Sequence, residues 1–367
     1  MFKPAAIFVG AVILLAGCAS TPTVPEEIIS SPPIMSNEAS SLNWSDTNVV
    51  KKFPAPRAIR LGTPAARINP SPAAPVTTRT SLDHWAAENK IGLPHLVSRM
   101  PVTAYAIGSA NGTMVLDIGS REAAWNGTEV NLGFSPEFID DQVFVHGLDL
   151  QKNFEPLLFG PPLTFGNRVI VIDPGHGGAN VGTHSVLDGR LEKEFTLDWA
   201  LRLAPLLATN GWQVFLTRTG DVDVALSNRV AFAGAHHADL FISLHFNSTP
   251  DLDKRPGGLE TFCLTPAGMP STLTRGYPDG WSQLFPNNAY DSQNLQAAIC
   301  LHNAILRATG LEDRGVSRAR FIGVLHRQHC PAVLIEGGYL SNPHEAKRIE
   351  NPEFRQKLAE AVASALK

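Results

Sequence analysis

One stretch of the chain, residues 168–178, constrains the fold more than any other. Residues 169–172 are an unbroken run of β-branched side chains, which is typical of a strand buried on both faces of a parallel sheet. The run stops in Asp173, Pro174 and three glycines around His176. The strand cannot continue there, because proline lacks an amide donor and glycine permits conformations that other residues avoid. The sequence therefore predicts His176 at the carboxyl end of a central strand, where open α/β sheets place their ligand sites.

Later segments bring matching side chains to the same edge of the predicted sheet. The apolar run 240–244 leads to His245, and the run 332–335 leads to Glu336 and a glycine pair. Between the first two strands, a segment with helical spacing carries Glu192 in its first turn. Two histidines and one glutamate form the ligand set of a catalytic zinc site that keeps a position open for water, and a spare carboxylate is the usual general base.

The sequence leaves two questions open at this edge, namely which carboxylate faces the metal and which group partners Glu336. Glu194 and Asp188 flank Glu192 closely enough that either could face the metal instead. Glu336 ends an apolar strand, where an unpaired carboxylate is costly to bury, so it requires a metal, a raised pKa or a cationic partner. The candidates for such a salt-bridge partner are Arg314, Arg318 and Arg320.

Five segments together resemble a known family. They are Asp-Pro-Gly-His-Gly-Gly at 173–178, Glu-Lys at 192–193, Leu-Thr-Arg-Thr-Gly-Asp at 216–221, Ile-Ser-Leu-His-Phe-Asn at 242–247 and Ile-Glu-Gly-Gly-Tyr-Leu-Ser-Asn at 335–342. In order and approximate spacing they look like the zinc-dependent N-acetylmuramoyl-L-alanine amidases, the type 3 cell-wall amidases. The resemblance implies a catalytic domain over 167–367 with one Zn²⁺ on His176, Glu192 and His245. It also implies that Glu336 is the general base.

The activity implied by this resemblance is cleavage of peptidoglycan at the amide between N-acetylmuramic acid and the L-alanine of the stem peptide. A zinc peptidase that cuts within the stem peptide would use the same metal ligands. A non-catalytic wall-binding lipoprotein is a third interpretation, and the complete ligand set with Glu336 argues against it. An activating protein partner is compatible with the family, and no motif in the chain identifies one.

The N-terminus is typical of an exported bacterial lipoprotein. Lys3 precedes an apolar run over 5–15 that is too short to span a membrane, and the run ends in the small residues of a cleavage site. Leu-Ala-Gly-Cys at 15–18 resembles a lipobox, which implies a signal peptide over 1–17 and a lipid anchor on Cys18. The alternative is an ordinary signal peptide with an incidental cysteine. Ala19 in place of aspartate favours the outer membrane, facing the periplasm.

The remaining regions complete the predicted organisation. Residues 18–80 are rich in proline and serine and predict a disordered tether. Residues 81–160 contain short apolar segments separated by the hairpin signals Asn111-Gly112 and Asn126-Gly127, and predict a small β-rich domain. Its pattern loosely resembles the copper amine oxidase N-terminal module. The predicted fold class is therefore α/β, with a mainly parallel central sheet flanked by helices and preceded by this β-rich domain.

The net charge excludes nucleic acid as a partner, whereas the pairing of three cysteines and the role of one long loop stay open. A net charge of −4 gives no electrostatic basis for binding nucleic acid. Cys263, Cys300 and Cys330 allow at most one disulfide among themselves. The long irregular segment 265–291 is expected to border the substrate groove, with Trp281 and Tyr290 as candidate contacts.

Overall fold

The computed structural model describes residues 78–249, 254–274 and 279–367. The predicted signal peptide, the predicted lipidation site Cys18 and nearly all of the predicted tether lie outside these residues. Within the described part, no helix has both the length and the apolar character needed to cross a membrane. The three described cysteines, Cys263, Cys300 and Cys330, are free thiols.

The region before residue 160 is mostly β-structure. Its elements are β1 (Arg79–Ser81), α1 (Leu82–Glu88), β2 (His95–Ser98), β3 (Ala104–Ser109), β4 (Gly112–Asp117), β5 (Glu122–Trp125), β6 (Thr128–Asn131), β7 (Glu137–Ile139), β8 (Gln142–His146), α2 (Gly147–Asp149), a π-helical turn (Leu150–Phe154) and α3 (Glu155–Leu158). Asn126 and Gly127, at φ of 50° and 86°, form the turn between β5 and β6. Both residues have the positive φ that a two-residue type I′ hairpin requires.

The second region alternates strands and helices. Its elements are β9 (Val169–Pro174), α4 (Glu192–Thr209), β10 (Gln213–Leu216), α5 (Leu226–Ala235), β11 (Leu240–Asn247), β12 (Leu259–Cys263), a 3-10 turn (Pro286–Tyr290), α6 (Asp291–Thr309), β13 (Asp313–Arg318), α7 (Gly323–His326), β14 (Ala332–Tyr339), α8 (Pro343–Glu350) and α9 (Pro352–Ala365). Asn351 caps α9 by accepting a hydrogen bond from the Glu353 amide, and Pro352 occupies the first helical position.

Both regions contribute to one sheet of eleven strands, in the order β10-β9-β11-β14-β12-β13-β6-β5-β4-β3-β2. The four strands β10, β9, β11 and β14 are parallel, and β12 runs antiparallel to β14. Val316 on β13 pairs in parallel with Val130 on β6, which joins the β-rich strands to the rest. The predicted α/β class is therefore confirmed, whereas the domain boundary expected near residue 160 stays a prediction.

Alternate residues of the central strands pack against different helix layers. Ile242 and Ile335 belong to a core that includes residues of α4, α6 and α9. Phe241 and Leu334 belong to a core on the other side with residues of α5 and α7. Each such fully buried apolar side chain contributes about 1.5–3 kcal/mol relative to exposure. Side chains alternate between the two faces of a strand, so His245 lies on the same face as Phe241, and Glu336 on the same face as Leu334. The packing of the two helix layers therefore determines which side chains face the site at the carboxyl edge of the sheet.

Candidate metal centre

The loop after β9 delivers His176 in a constrained conformation. His176 has a φ of 62°, and Gly177 and Gly178 also have positive φ. Two buried arginines hold the carbonyl groups of this loop. Arg229 donates to the Pro174 and His176 oxygens at 2.9 and 2.7 Å, and Arg218 donates to the Gly175 oxygen at 2.8 Å. The arginines therefore replace the hydrogen bonds that a continuing strand would have made.

Asp173 and Arg229 form an ion pair beneath this loop, with both side chains buried. Thr217 and Ser243 also donate to the Asp173 carboxylate. Burial by itself would raise the pKa of Asp173, but Arg229 and the two hydroxyl donors outweigh it and lower that pKa. The ion-pair and hydrogen-bond partners of the Asp173 carboxylate are therefore side chains of the protein interior. The role of Asp173 is to hold the loop that carries His176.

Glu192 lies at the start of α4 and joins the two histidines. Its Oε2 is 2.9 Å from His176 Nε2, and its Oε1 is 3.0 Å from His245 Nδ1. The Thr183 amide donates to Oε2 at 2.9 Å and the Phe246 amide to Oε1 at 3.1 Å. Both carboxylate oxygens are therefore oriented by backbone groups from different segments. Glu194 is exposed and Asp188 pairs with Arg190, so neither alternative carboxylate joins the cluster.

The three side chains have the geometry of a metal-ligand set. One ligand atom from each of His176, Glu192 and His245 lies within 4.8 Å of the others. Asn180 Oδ1 lies 2.8 Å from His176 Nδ1, which leaves Nε2 to face Glu192. An outer hydrogen bond of this kind orients ligating histidines in metal sites. Two imidazoles and one carboxylate are a donor set that fits a divalent zinc ion.

The charges within the cluster favour an ionised Glu192. Burial would raise the pKa of Glu192, but the attraction and hydrogen bonds of His176 and His245 lower it overall. Burial would lower the pKa of His176, but Glu192 raises it. For His245, burial dominates and lowers the pKa. The cluster therefore combines a carboxylate with one imidazole that favours its neutral form, and a neutral imidazole is the form that binds a metal.

Glu336 lies beside the cluster with an unpaired oxygen. Its side chain is 2% exposed, and Oε2 has no hydrogen-bond partner among the described residues. Burial raises its pKa well above the ordinary value, and Glu192 and Glu260 add to the rise. The salt-bridge alternative is not observed: Arg318 donates to Asn153, Arg320 pairs with Asp279, and Arg314 lies over the Tyr339 ring.

A small cavity of about 20 Å³ opens next to His176 and His245. Leu226 and the segment 322–324 border it, and Leu226 is 46% exposed at its outer side. Neither Trp281 nor Tyr290 lines this cavity in the described part of the chain. Trp281 instead contacts Phe134 of the β-rich region, with ring centroids 6.4 Å apart. The expected groove contacts are therefore not found at the metal centre.

Asn180 and Glu260 are components that sequence reasoning missed. Asn180 follows His176 by four residues, which is a local signal, whereas the position of Glu260 depends on the pairing of strands far apart in the chain.

A sheet edge that gathers two imidazoles, a carboxylate and a second buried carboxylate has the donor set and the spare acid that single-metal hydrolases use. The family model described as N-acetylmuramoyl-L-alanine amidase matches residues 170–367. The chain belongs to this family.

Three named proteins are similar to parts of this chain. The amidase AmiC of Escherichia coli O6:H1 is 30% identical over 244 residues, which are 60% of this chain and 58% of AmiC. The amidase AmiA of Escherichia coli K12 is 29% identical over 222 residues, 55% of this chain and 75% of AmiA. A solved amidase from Clostridium difficile 630 covers 55% of this chain and 96% of its own, with 29% identity and a TM-score of 0.45. The chain thus spans little more than half the length of AmiC.

Proposed function

We propose that the protein hydrolyses the amide between N-acetylmuramic acid and L-alanine in peptidoglycan, with one zinc ion held by His176, Glu192 and His245. The observation that carries this proposal is the convergence of these three buried ligand atoms within 4.8 Å. When bound there, zinc supplies Lewis-acid polarisation of the substrate carbonyl and makes water a nucleophile at neutral pH.

Glu336 is the proton-transfer residue in this proposal. It takes a proton from the attacking water as the new carbon–oxygen bond forms. It then gives that proton to the amide nitrogen as the carbon–nitrogen bond breaks, which leaves a carboxylate on the lactyl group and a free amino terminus on L-alanine. Burial opposes the charged form of Glu336, and a zinc ion bound on the neighbouring ligands would offset this effect, because an opposite charge favours the carboxylate.

The cavity beside His176 and His245 has a volume of about 20 Å³, which exceeds the roughly 10–15 Å³ that one water needs. This volume is far too small for a sugar with an attached peptide, and neither Glu192 nor Glu336 lines the cavity. The cavity is therefore a water-sized space beside the candidate ligands and not the substrate groove.

Product analysis tests the proposed bond. The full chain is incubated with purified peptidoglycan, and the soluble products are identified by mass and by labelling of new amino termini. New L-alanine amino termini together with intact muramic acid carboxylates support the amidase. Cleavage within the stem peptide would instead support a zinc peptidase, and the absence of any metal-dependent product would support a binding lipoprotein.

We also propose that a lipid on Cys18 holds the protein in the bacterial envelope, at the outer membrane facing the periplasm. The apolar run 5–15 and the Leu-Ala-Gly-Cys segment support this. Expression with radiolabelled palmitate should label the wild type and a Cys300→Ser control but not Cys18→Ser. Equal labelling of the Cys18 variant would overturn the anchor.

A further inference from the structure

Glu260 extends the row of side chains at the metal centre by one strand. Glu260 on β12 is the register partner of Glu336 on β14, and Glu336 is the register partner of His245 on β11. Register partners project from the same face of a sheet, with Cβ atoms about 4.5–5.5 Å apart in an antiparallel pair. Two buried carboxyl groups therefore lie side by side, next to a candidate metal ligand.

The surroundings of Glu260 supply too little positive charge for both acids to be ionised. The charged groups that face it are Glu336, Glu129 and Arg314. Arg314 is shared, since its guanidinium lies over the Tyr339 ring at 5.3 Å and donates to the Gly257 oxygen at 3.5 Å. Burial raises the pKa of Glu260 to about 7 and Glu129 adds to the rise, although Arg314 and the Ser317 hydroxyl oppose it. Side-by-side buried carboxyls of this kind hold a proton near neutral pH.

The Glu260 carboxyl is held in one orientation. Ser317 Oγ donates to Oε1 at 3.0 Å, and Asn247 Nδ2 lies 3.4 Å from Oε2. The neighbouring Glu336 Oε2 is buried and has no hydrogen-bond donor in the described part of the chain. A protonated carboxyl offers one O–H donor and keeps acceptor capacity for its other partners.

We propose that Glu260 is a positioning residue whose protonated carboxyl donates a hydrogen bond to Glu336 and fixes the orientation in which Glu336 meets the attacking water. This inference rests on the proposed function, because it takes Glu336 as the proton-transfer residue. Glu260 touches neither substrate nor metal. It acts through Glu336, and its chemical requirement is a hydrogen-bond donor rather than a charge.

Two substitutions in the full-length protein separate a donor from a merely space-filling residue. Glu260→Gln keeps a donor at every pH, whereas Glu260→Met keeps a side chain of similar length without one. Loaded with zinc and assayed on soluble muropeptides, the Gln variant should retain kcat within about threefold of the wild type. The Met variant should lose kcat by at least about tenfold, which is a part of the roughly 10²–10⁴-fold that a general base contributes, with KM changed little. Equal kcat in the two variants would overturn the proposal.

A stability measurement on the metal-free protein keeps the proposal testable if the Met variant does not fold or the wild type shows no activity. The folded-state pKa of Glu260 is raised, so its contribution to stability is present below about 4.5 and is lost as the pH rises through about 7. Glutamine has no such loss. The Tm of Glu260→Gln relative to the wild type should therefore increase from pH 5 to pH 8. A Tm difference that stays the same from pH 5 to pH 8 would contradict a protonated Glu260. A zinc-loaded wild type without activity would instead count against the proposed function.

Discussion

Glu336 lies directly beside His245, because the two residues are register partners on the adjacent parallel strands β14 and β11. The sheet itself therefore places a carboxyl next to a candidate metal ligand, and no flexible loop is needed to bring it there. Neighbouring strands lie about 4.8 Å apart, a separation that allows one side chain to bind a cation and the next to exchange a proton with water beside it.

The first prediction concerns Glu336→Gln. Glutamine at this position would have nearly the same shape as glutamate but could not accept a proton, so zinc binding should be retained while kcat falls by about 10²–10⁴-fold. Zinc content by elemental analysis and turnover of muropeptides measure the two effects. Glu360→Gln, at an exposed position on α9, is the matched control and should leave both unchanged. Wild-type turnover in the Glu336 variant would remove Glu336 from the mechanism.

A second prediction uses two glycines with similar backbone conformations. Gly182 has a φ of +72°, and an added Cβ would lie 2.4 Å from Glu192 Oε2 and 2.7 Å from His176 Cδ2. Gly189 has a φ of +78° with nothing within 4 Å of the added atom. Alanine at either position costs about 1–2 kcal/mol in backbone strain. Only Gly182→Ala should also weaken zinc binding, by at least about tenfold in Kd. Similar zinc affinities for the two variants would mean that the packing around Glu192 does not control the site.

The buried pair of Asp173 and Arg229 leads to a third prediction, about folding stability. Asp173→Asn removes one charge and leaves the Arg229 guanidinium buried without its partner, which should cost about 3–5 kcal/mol in the free energy of unfolding. Arg190→Met provides a contrast, because the Arg190 side chain is 42% exposed and exposed pairs contribute only about 0–1 kcal/mol. Urea unfolding followed by circular dichroism measures both. Equal losses in the two variants would show that the Asp173 pair does not anchor the His176 loop.

A fourth prediction concerns the pH dependence of stability at Glu129 on β6. Burial raises the pKa of Glu129 to about 7, Asp313 and Glu122 add to the rise, and Arg314 opposes it. Because the folded pKa lies above the unfolded value, the wild type loses stability as the pH rises from about 5 to 8. Glu129→Gln should avoid this loss, so its advantage in Tm should grow over that range. Parallel Tm profiles for the wild type and the variant would contradict the raised pKa, and Glu360→Gln should follow the wild type.

Much of the fold around the site could be predicted from local sequence. The runs that lead to His176, His245 and Glu336 are apolar, so their burial is readable from the sequence. Proline or glycine also marks the strand end near His176 and Glu336. The sequence predicts a helix over Leu226–Ala235 and a helix start at Asn351 followed by Pro352, and α5 and α9 confirm both. Helix α4 begins at Glu192, which confirms the prediction that Glu192 lies in the first turn of this helix.

Other parts depend on long-range pairing that local sequence does not encode. Strand β13 reads Asp-Arg-Gly-Val-Ser-Arg and lacks an apolar run, so no strand was predicted there, although it connects the two halves of the sheet through Val316. The position of Glu260 next to Glu336 follows from the antiparallel register of β12 on β14. Register between distant strands is set by the whole assembled sheet, which is why this neighbour of the site was not foreseen.

Zinc titration of the metal-free protein tests the central claim most directly. The full chain is stripped with a chelator, zinc is added in steps, and bound zinc and peptidoglycan hydrolysis are measured on the same samples. We expect hydrolysis to rise in proportion to bound zinc and to saturate at one ion per chain, and we expect His176→Ala to lose both. Full hydrolysis by the stripped protein, or one tightly bound zinc in His176→Ala, would contradict a catalytic metal on His176, Glu192 and His245.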